Sequence, residues 1–378
     1  MRVLIAMNAF KGTLSASAAG AAVARAVKNK FPAAIIETMP IADGGDGLLE
    51  ALAPVFKGRL LSARVAGPFG GRLTARWLLA GRTAVIEMAE AAGLRHAGKK
   101  RLKPLDASTR GVGQLLKAAA RAGAKEIIVG LGGSASNDGG AGCAAAFGFE
   151  LSGPGGRPVA PGARGLADLV SIKPGQGPAR LAGHTVRGLA DVENPLCGRL
   201  GSARVFAPQK GAGSREVAFI EAALLGYART VRRDLGVKIA RLKGGAAAGG
   251  LGAGLAAFFG AELLDGASFV LDKTGFDAKI SRADLLITGE GCFDRQTFFG
   301  KAPGEAIRRA RALGKPVVVA CGRSLFGDRR ALARRGVHAV IEARRLGRDA
   351  AALSLAVERG LPGALGGLPV YQGLRKKV

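Results

Sequence analysis

The chain has 378 residues, 48% of them hydrophobic, so it is long enough for two domains and apolar enough to bury a core, which excludes an intrinsically disordered protein. Its four cysteines are widely separated and form no C-x-x-C pair, so we expect no disulfide framework and a protein of the reducing cytoplasm. The formal net charge is +28, from 56 Lys and Arg against 28 Asp and Glu, and such an excess raises the question of a nucleic-acid partner.

The basic residues cluster at 95–103, 308–348 and 375–377. These clusters lack the interleaved aromatic side chains on which bases stack. The arginines from Arg308 onward lie in Ala- and Leu-rich helical patterns, which are typical of a solvated helix surface. We therefore expect no nucleic-acid partner, and we keep a basic nucleic-acid-binding protein as an alternative.

The N-terminal region alternates strands and helices. Residues 1–10 hold one charge and a short apolar run, which predicts a first strand at 2–6 and not a signal peptide. An Ala-rich helix at 15–30, a second strand at 33–39 and a loop at 40–47 follow. This order is typical of an α/β fold with parallel strands.

The middle of the chain differs, because three short strands joined by turns come first, at 60–66, 72–79 and 83–88. The segment 244–261 is uncharged, but its Gly and Ala residues predict a glycine-rich loop that leads into a buried helix, and we expect no membrane span. The other elements that we predict here are a helix at 113–121, a strand at 126–130, a helix at 142–147 and a strand at 184–189.

The C-terminal region repeats the N-terminal style, with a strand at 283–288, a helix at 301–313, a strand at 316–320, a helix at 329–335 and a strand at 339–342. The tail after about residue 345 carries no motif that we can place. We therefore predict an α/β fold of two domains: a Rossmann-like parallel-sheet domain formed by both chain ends, 1–65 and 275–378, and an inserted mixed α/β domain, 66–274.

Four acidic or amide-rich segments follow predicted strands, where ligands bind in open α/β sheets. The first, IADGGDG at 41–47, places Asp43 and Asp46 on either side of a glycine pair. This spacing could direct both carboxylates to one Mg²⁺ or to a substrate hydroxyl. The alternative is an ordinary Asp-Gly-Gly turn.

The second segment, GLGGSASNDGG at 130–140, follows a strand and precedes an apolar helix. Its backbone N–H groups and the helix beyond it predict a cradle for an anion. Either Asn137 or Asp138 could cap the helix. Neither the Walker A motif nor G-x-G-x-x-G fits this loop, so any nucleotide site is not of the P-loop or Rossmann type.

The third segment, GLADVENPL at 188–196, places Asp191 directly after a strand, where a carboxylate can act as a base. An Asx turn before Pro195 is the alternative. The fourth, TGEGCFDRQTFFGKAP at 288–303, concentrates charged groups in one strand-to-helix loop. Its Lys and Arg side chains can neutralise phosphate charge, and its carboxylates can hold Mg²⁺.

These segments, together with others in the same order, resemble the bacterial type I glycerate kinases, collinearly from about residue 1 to 345. The resemblance is carried by NAFKGTLSA, ADGGDG, GP at 67–68, AVIEMAEAAGL, GLGGSASNDGGAG, DVENPL, PQKGA, GAAAGGLGAG and ITGEG with DRQT and GKAP. It implies ATP and Mg²⁺ as cofactors, glycerate as the acceptor and 2-phosphoglycerate as the product. A homodimer is left open, and a kinase of a related hydroxy acid is an alternative.

Three departures from the family pattern bear on the site. Met7-Asn8-Ala9 stands where the family commonly has Pro-Asp-Ser, so we do not expect the loop after the first strand to bind metal. Cys292 stands where the family usually has Arg after G-E-G. If that Arg contacts phosphate or carboxylate, we expect either that Arg295 substitutes for it or that the affinity for the substrate is weaker. The usual Tyr-Gly-Thr-Gly segment reads RGVG at 110–113.

The resemblance and the strand-end positions together predict roles for individual residues, although the aspartates could exchange them. As catalytic residues we expect Asp191, as the base, with Asp43 and Asp294, which are also the candidates for Mg²⁺. Glu87 and Glu90 lie in an apolar segment and are either structural acids or site residues. The residues that we expect to bind substrate or phosphate are Lys11, Asp46, Arg64, Ser134, Ser136, Asn137, Lys210, Glu290, Arg295 and Lys301.

Overall fold

A computed structural model describes residues 1–97, 102–175, 183–343 and 349–366. It divides the chain into a terminal unit, Met1–Val55 with Gly266–Val378, and an inserted unit, Phe56–Asp265. The boundaries between the two units lie about ten residues before the boundaries at 65 and 275 that we predicted. The basic cluster at 375–377, and parts of those at 95–103 and 308–348, lie outside the described residues.

The strands, numbered along the chain, are β1 Arg2–Met7, β2 Ile35–Pro40, β3 Arg59–Ala66, β4 Arg72–Ala80, β5 Thr83–Glu87, β6 Glu126–Gly130, β7 Glu150–Ser152, β8 Ser171–Lys173, β9 Thr185–Ala190, β10 Glu262–Asp265, β11 Leu285–Gly289, β12 Cys292–Phe293, β13 Val317–Cys321, β14 Arg323–Ser324 and β15 Ala339–Glu342.

The α-helices are α1 Ala16–Lys30, α2 Leu48–Phe56, α3 Ala89–Ala92, α4 Arg110–Arg121, α5 Ala141–Phe147, α6 Gly162–Ala167, α7 Ser202–Phe206, α8 Ser214–Leu235, α9 Leu251–Phe259, α10 Gly266–Lys273, α11 Phe276–Arg282, α12 Ala302–Ala312, α13 Arg329–Arg334 and α14 Ala350–Leu365. In the part of the chain that the structure describes, no helix is both long and apolar enough to cross a membrane.

The terminal unit contains a parallel sheet of five strands in the order β15-β13-β11-β1-β2. Successive side chains of a strand point to opposite faces: Val3 and Ile5 pack in one apolar cluster with α1 and α14, whereas Leu4 and Ala6 pack in a second cluster with α11 and α12. Because both faces of the central strands β1, β11 and β13 are buried, these strands are almost continuously apolar, as is typical of parallel sheets, whereas the edge strand β2 is largely exposed.

The inserted unit contains a sheet of six strands in the order β10-β9-β6-β5-β4-β3. The strands β3, β4 and β5 are antiparallel, and β5, β6, β9 and β10 are parallel. An apolar cluster of this unit packs α5, α6 and α8 together around the buried Tyr227. Each unit thus has its own sheet and core, which confirms the predicted α/β class.

Candidate active site

In the terminal unit, three neighbouring strands end at the same edge of the sheet. The backbone N–H of Asn8, just after β1, donates to the Gly289 carbonyl at 2.9 Å. The backbone N–H of Ile41, just after β2, donates to the Met7 carbonyl at 3.0 Å. The loops that follow β1, β2 and β11 are therefore neighbours. These loops carry the first and the fourth of the segments identified in the sequence.

Asp43 is buried and held from two sides. Its Oδ1 accepts from the Gly45 N–H at 3.3 Å, and its Oδ2 accepts from the Asn8 side-chain Nδ2 at 3.3 Å. The neighbouring Gly44 has a φ of 93°, which a residue with a side chain rarely adopts. Asp43 is thus fixed in place by the tight turn. Of the other residues predicted in these loops, Asp46 is half-buried and Lys11 is exposed.

Glu290 and Lys301 form the centre of a carboxylate–lysine cluster, which we define as Asp43, Glu290, Asp294 and Lys301. Glu290 Oε1 accepts from Thr297 Oγ1 at 2.6 Å, and Glu290 Oε2 accepts from Lys301 Nζ at 3.1 Å. Burial raises the pKa of Glu290, and Lys301 and Thr297 oppose that rise. Burial lowers the pKa of Lys301, but the charge and hydrogen bond of Glu290 together with the charges of Asp294 and Asp43 outweigh it, so the pKa is raised and Lys301 stays charged.

Asp294 is the outer carboxylate of this cluster. Its Oδ1 accepts from the Gln296 N–H at 2.8 Å and lies 3.9 Å from Lys301 Nζ. Arg295, in the turn that Asp294 caps, is exposed. Cys292 is half-buried, and its Sγ donates to Asp294 Oδ2 at 4.0 Å. Burial raises the pKa of the Cys292 thiol, helped by Asp294, so the thiol stays protonated.

A resident Mg²⁺ does not fit this cluster well. Among the described residues no group of three or more His, Cys, Asp or Glu side chains converges as metal ligands, and the Lys301 ammonium already lies between Glu290 and Asp294. Mg²⁺ usually retains waters and is held by one or two carboxylates together with substrate phosphates. The carboxylates of the cluster that could hold such an ion are Asp43 and Asp294.

In the inserted unit, β6 and β9 end side by side, with the Leu131 N–H donating to the Leu189 carbonyl at 3.0 Å. The loop after β6 carries the second segment, and the loop after β9 carries the third. A turn at Ala247–Gly250 packs against the loop after β6: a Cβ atom added to Gly249 would lie 1.8 Å from the Ser136 carbonyl oxygen. Only glycine therefore allows this approach.

Lys210 points into the loop after β6 and has only 2% of its surface exposed. Its Nζ donates to Ser134 Oγ at 2.8 Å and to the Ser136 carbonyl at 2.6 Å. Burial lowers the pKa of Lys210 to about 7, and the charge of Asp138 opposes that shift. We call Ser134, Ser136, Asn137 and Lys210 the buried lysine site.

Asp138 holds the backbone of the same loop. Its carboxylate accepts from the Thr109 N–H at 2.8 Å, from Thr109 Oγ1 at 3.0 Å and from the N–H groups of Gly140 and Gly142 at 3.2 Å. Burial raises the pKa of Asp138 despite these bonds. Neither capping candidate is the N-cap residue of α5, which is Gly140. The Asp138 carboxylate accepts from Gly142 in the first turn, whereas Asn137 Nδ2 donates to the Pro104 carbonyl at 3.0 Å.

Two buried polar atoms of the buried lysine site, Ser136 Oγ and Asn137 Oδ1, have no hydrogen-bond partner among the described residues. Both side chains are fully buried. Unpaired buried polar atoms are costly and rare in folded proteins, and they mark places where a ligand or an ordered water completes the bonding. The buried lysine site therefore has the chemistry of a binding site for a small anion.

The remaining predicted residues belong to neither of these two groups as defined above. Asp191 follows β9 directly and is half-buried. Arg64 is exposed on the edge strand β3, which β4 and β5 separate from β6. Glu87 and Glu90 are buried and form ion pairs with Arg95 and Arg76, an arrangement that suits structural acids. Burial alone would raise the pKa of Glu90, but the Arg76 hydrogen bonds lower it.

Sequence reasoning missed several polar residues that complete the two groups. Thr297 lies within the fourth segment but carries no local signal of its bond to Glu290. Thr109 and Tyr227 lie far along the chain from the loop that they hold: the Tyr227 hydroxyl donates to the Gly139 carbonyl at 2.9 Å. Asn8 was recognised only as a departure from the family pattern, and its contact with Asp43 could not be foreseen.

Comparison with known proteins identifies the family. The profile of the Glycerate kinase family matches residues 3–359. A protein named glycerate kinase from Halalkalibacterium halodurans is 39% identical over 322 residues, 85% of each chain. A protein named glycerate 2-kinase from Escherichia coli K12 is 38% identical over 342 residues, 90% of each chain.

A crystal structure from Salmonella typhimurium LT2, provisionally named glycerate kinase 2, is 36% identical and superposes with a TM-score of 0.78, covering 97% of this chain and 99% of that one. The similarity extends over nearly the whole length of both chains, so it confirms the two-domain α/β fold. It also confirms the resemblance on which the site assignments rest. The chain belongs to the glycerate kinase family, and its activity class is that of a kinase.

Proposed function

We propose that this protein transfers the γ-phosphoryl group of ATP to the 2-hydroxyl of D-glycerate and releases 2-phosphoglycerate and ADP. The name glycerate 2-kinase of the Escherichia coli relative supports the position of transfer. The observation that carries the proposal is the buried lysine site, in which one ammonium group and two unpaired polar atoms lie in a glycine-rich loop. Such a site suits a small anionic substrate.

The proposed reaction is a displacement at phosphorus. The hydroxyl oxygen of the acceptor forms a bond to the γ-phosphorus, the bond from that phosphorus to the bridging oxygen breaks, and ADP leaves. Asp191 takes the proton of the attacking hydroxyl, because it is a half-buried carboxylate at a strand end. Phosphoryl transfer otherwise depends on positioning and on neutralising charge.

The carboxylate–lysine cluster is proposed to act on ATP. Lys301 stays charged because Glu290 holds it, so it can neutralise phosphate oxygens. Asp43 and Asp294 would bind the Mg²⁺ that accompanies ATP, and this ion would neutralise part of the phosphate charge. Among the other predicted residues, those that we propose as further contacts for substrate or phosphate are Lys11, Asp46, Arg64, Glu290 and Arg295.

A coupled assay tests the proposal. ATP, Mg²⁺ and D-glycerate are supplied, and enolase, pyruvate kinase and lactate dehydrogenase are added without a phosphoglycerate mutase. Since enolase consumes 2-phosphoglycerate but not 3-phosphoglycerate, and no phosphoenolpyruvate is added, we expect one NADH to be oxidised for each ADP released. Turnover with another hydroxy acid and not with glycerate would contradict the proposed substrate and favour the related-acid alternative.

A further inference from the structure

The buried lysine site has unused hydrogen-bonding capacity of three kinds. The Lys210 ammonium has three N–H groups and two acceptors, Ser134 Oγ and the Ser136 carbonyl, so one donor remains. Ser136 Oγ can donate, and Asn137 Oδ1 can only accept. A ligand that satisfies all three must offer an acceptor to Lys210 and Ser136 and a hydroxyl donor to Asn137.

We propose that the buried lysine site binds a small hydroxy acid, with its carboxylate on Lys210 and Ser136 and with a hydroxyl that is not phosphorylated donating to Asn137 Oδ1. The identity of the acid as glycerate rests on the proposed function, in which the 3-hydroxyl is the group held by Asn137. This inference assigns the acceptor, and not ATP, to the glycine-rich loop after β6.

Charge favours a carboxylate over the phosphates of ATP. The site offers one ammonium group, which matches the single charge of a carboxylate, whereas a triphosphate requires several cations. Among the described residues, the charged group whose field acts on Lys210 is Asp138, a buried carboxylate that would repel a polyanion. The lone acceptor Asn137 Oδ1 would likewise repel a phosphate oxygen but would accept a hydroxyl.

Space also favours a small head group. Gly249 leaves no room for a side chain, since an added Cβ would lie 2.9 Å from Lys210 Nζ as well as against the Ser136 carbonyl. Ser136 and Asn137 are fully buried. Any group bound among these side chains must therefore be small, which favours a carboxylate over a nucleotide.

Binding of the acid is coupled to uptake of a proton. The pKa of Lys210 is about 7 in the free protein, and a bound carboxylate favours the charged ammonium, because an opposite charge raises the pKa of a lysine. The carboxyl group of the acid is ionised throughout this range. The dissociation constant should therefore rise up to about tenfold per pH unit above about pH 7, with up to about one proton taken up on binding.

The test is calorimetric titration of sodium D-glycerate into the full chain in the presence of Mg²⁺ and a non-hydrolysable ATP analogue, in buffers of different ionisation enthalpy. Ser136→Ala is the principal variant, because it removes an unpaired hydroxyl and so should fold normally. Lys210→Met is the second variant, and Lys173→Met, at an exposed position of the same unit, is the control.

We expect Ser136→Ala to weaken glycerate binding about 10- to 100-fold, as for one hydrogen bond to a charged group, with the affinity for the ATP analogue unchanged. We expect D-lactate, which lacks the 3-hydroxyl, to bind to the wild-type protein more weakly than glycerate does. We expect the Lys210→Met variant to show no proton uptake on binding. Wild-type glycerate affinity in Ser136→Ala, or a loss of analogue affinity instead, would overturn the inference. So would a wild type that binds no glycerate.

The outcomes separate this inference from the proposed function. A wild type that binds glycerate with proton uptake but forms no phosphorylated product would overturn the proposed reaction and leave the binding site intact. A wild type that phosphorylates glycerate, with Ser136→Ala unchanged in its glycerate affinity, would overturn the inference alone. Inorganic phosphate that binds more tightly than glycerate in the same titration would assign the site to a phosphate.

Discussion

The Glu290 carboxylate accepts a hydrogen bond at 3.1 Å from Lys301, eleven positions further along the chain, and hydrogen bonds of Thr297 and Asp294 stabilise the loop between them. Lys301 is 20% exposed and Glu290 is 9% exposed at the side chain. The two charges of an ion pair so shielded from water attract each other more than those of a surface pair, and removing one partner leaves the other as a buried, unpaired charge. Glu290 therefore positions Lys301 and, with Asp294 and Asp43, favours its charged form.

Replacing Glu290 by Gln should preserve the bond to Thr297 and remove the charge that orients Lys301. We expect kcat/KM for ATP to fall about 10- to 100-fold, as for the loss of one charge-assisted contact, and stability to fall by about 1–3 kcal/mol. The control is Glu358→Gln, which breaks the exposed Lys30–Glu358 pair at 3.7 Å and should change little. Wild-type kcat/KM in a folded Glu290→Gln enzyme would remove Lys301 from the ATP site.

Asp191→Asn tests the proposed base. The amide cannot accept the proton of the attacking hydroxyl, so kcat should fall by at least about 10²-fold, with a smaller change in KM. Asp168→Asn, at an exposed position of the same unit, serves as the matched control. A near-wild-type kcat in folded Asp191→Asn would assign the base to another residue.

The variant Lys210→Met tests whether the Lys210 amine is buried, through the pH dependence of the unfolding free energy. Folded Lys210 has a pKa of about 7 and the unfolded chain has 10.5, so between these values the unfolded state binds more protons. The contribution of Lys210 to the unfolding free energy then rises with pH, by about 1.4 kcal/mol per pH unit. Below about pH 7 the folded protein bears the full destabilisation that comes from burying the charged ammonium.

Urea denaturation of wild type and Lys210→Met at pH 6, 7, 8 and 9 measures this term, since other titrating groups cancel in the difference. The stability of the Met variant relative to wild type should be highest near pH 6 and should decline as the pH rises above about 7. A difference independent of pH would mean that Lys210 is solvated and keeps an ordinary pKa.

Gly249→Ala tests the close approach of the Ala247–Gly250 turn to the buried lysine site. The added Cβ would overlap the Ser136 carbonyl, so we expect a loss of about 3 kcal/mol or more and weaker binding of glycerate. Gly236→Ala is matched, since φ is 74° there and 67° at Gly249, but nothing lies within 4 Å of its Cβ. It should cost only about 1–2 kcal/mol for the backbone conformation. Equal losses in the two variants would refute the steric argument.

The local elements of the fold were predictable from the sequence where the pattern was strong. Apolar runs at strand positions and the glycine-rich loops gave β1, β6 and β11 and the loops after them, because burial on both faces makes these strands continuously apolar. The helix α1 begins after Ser15, whose hydroxyl accepts from the Ala18 N–H, as a capping residue should.

Several helices escaped prediction, and for α14 and α8 the reasons are physical. The helix α14 contains Pro362 and two glycines, which argue locally against a helix, but Leu353, Val357, Leu361 and Leu365 are buried in the core with α1. The long helix α8 has charged residues on its exposed face, and its apolar stripe is formed mainly by Ala, Leu and Ile in a sequence already rich in them. Tertiary packing, and not local preference, decides both.

The site was predictable only as a set of loops. Each of the four segments lies at a strand end, as expected, but the partners of the key groups are distant along the chain. Lys210 is 76 residues from Ser134, and Thr109 is 29 residues from Asp138. Hydrogen bonds of this range depend on which strands become neighbours, and a single sequence carries no signal for that.

Phosphorus NMR of the product formed from ATP, Mg²⁺ and D-glycerate tests the central claim most directly. Transfer to the 2-hydroxyl places the phosphate on a carbon that bears one hydrogen, so the proton-coupled phosphorus signal should be a doublet. A triplet, from a carbon with two hydrogens, would show 3-phosphoglycerate, and a signal of inorganic phosphate alone would show hydrolysis of ATP. Either of these results would contradict the proposed transfer to the 2-hydroxyl.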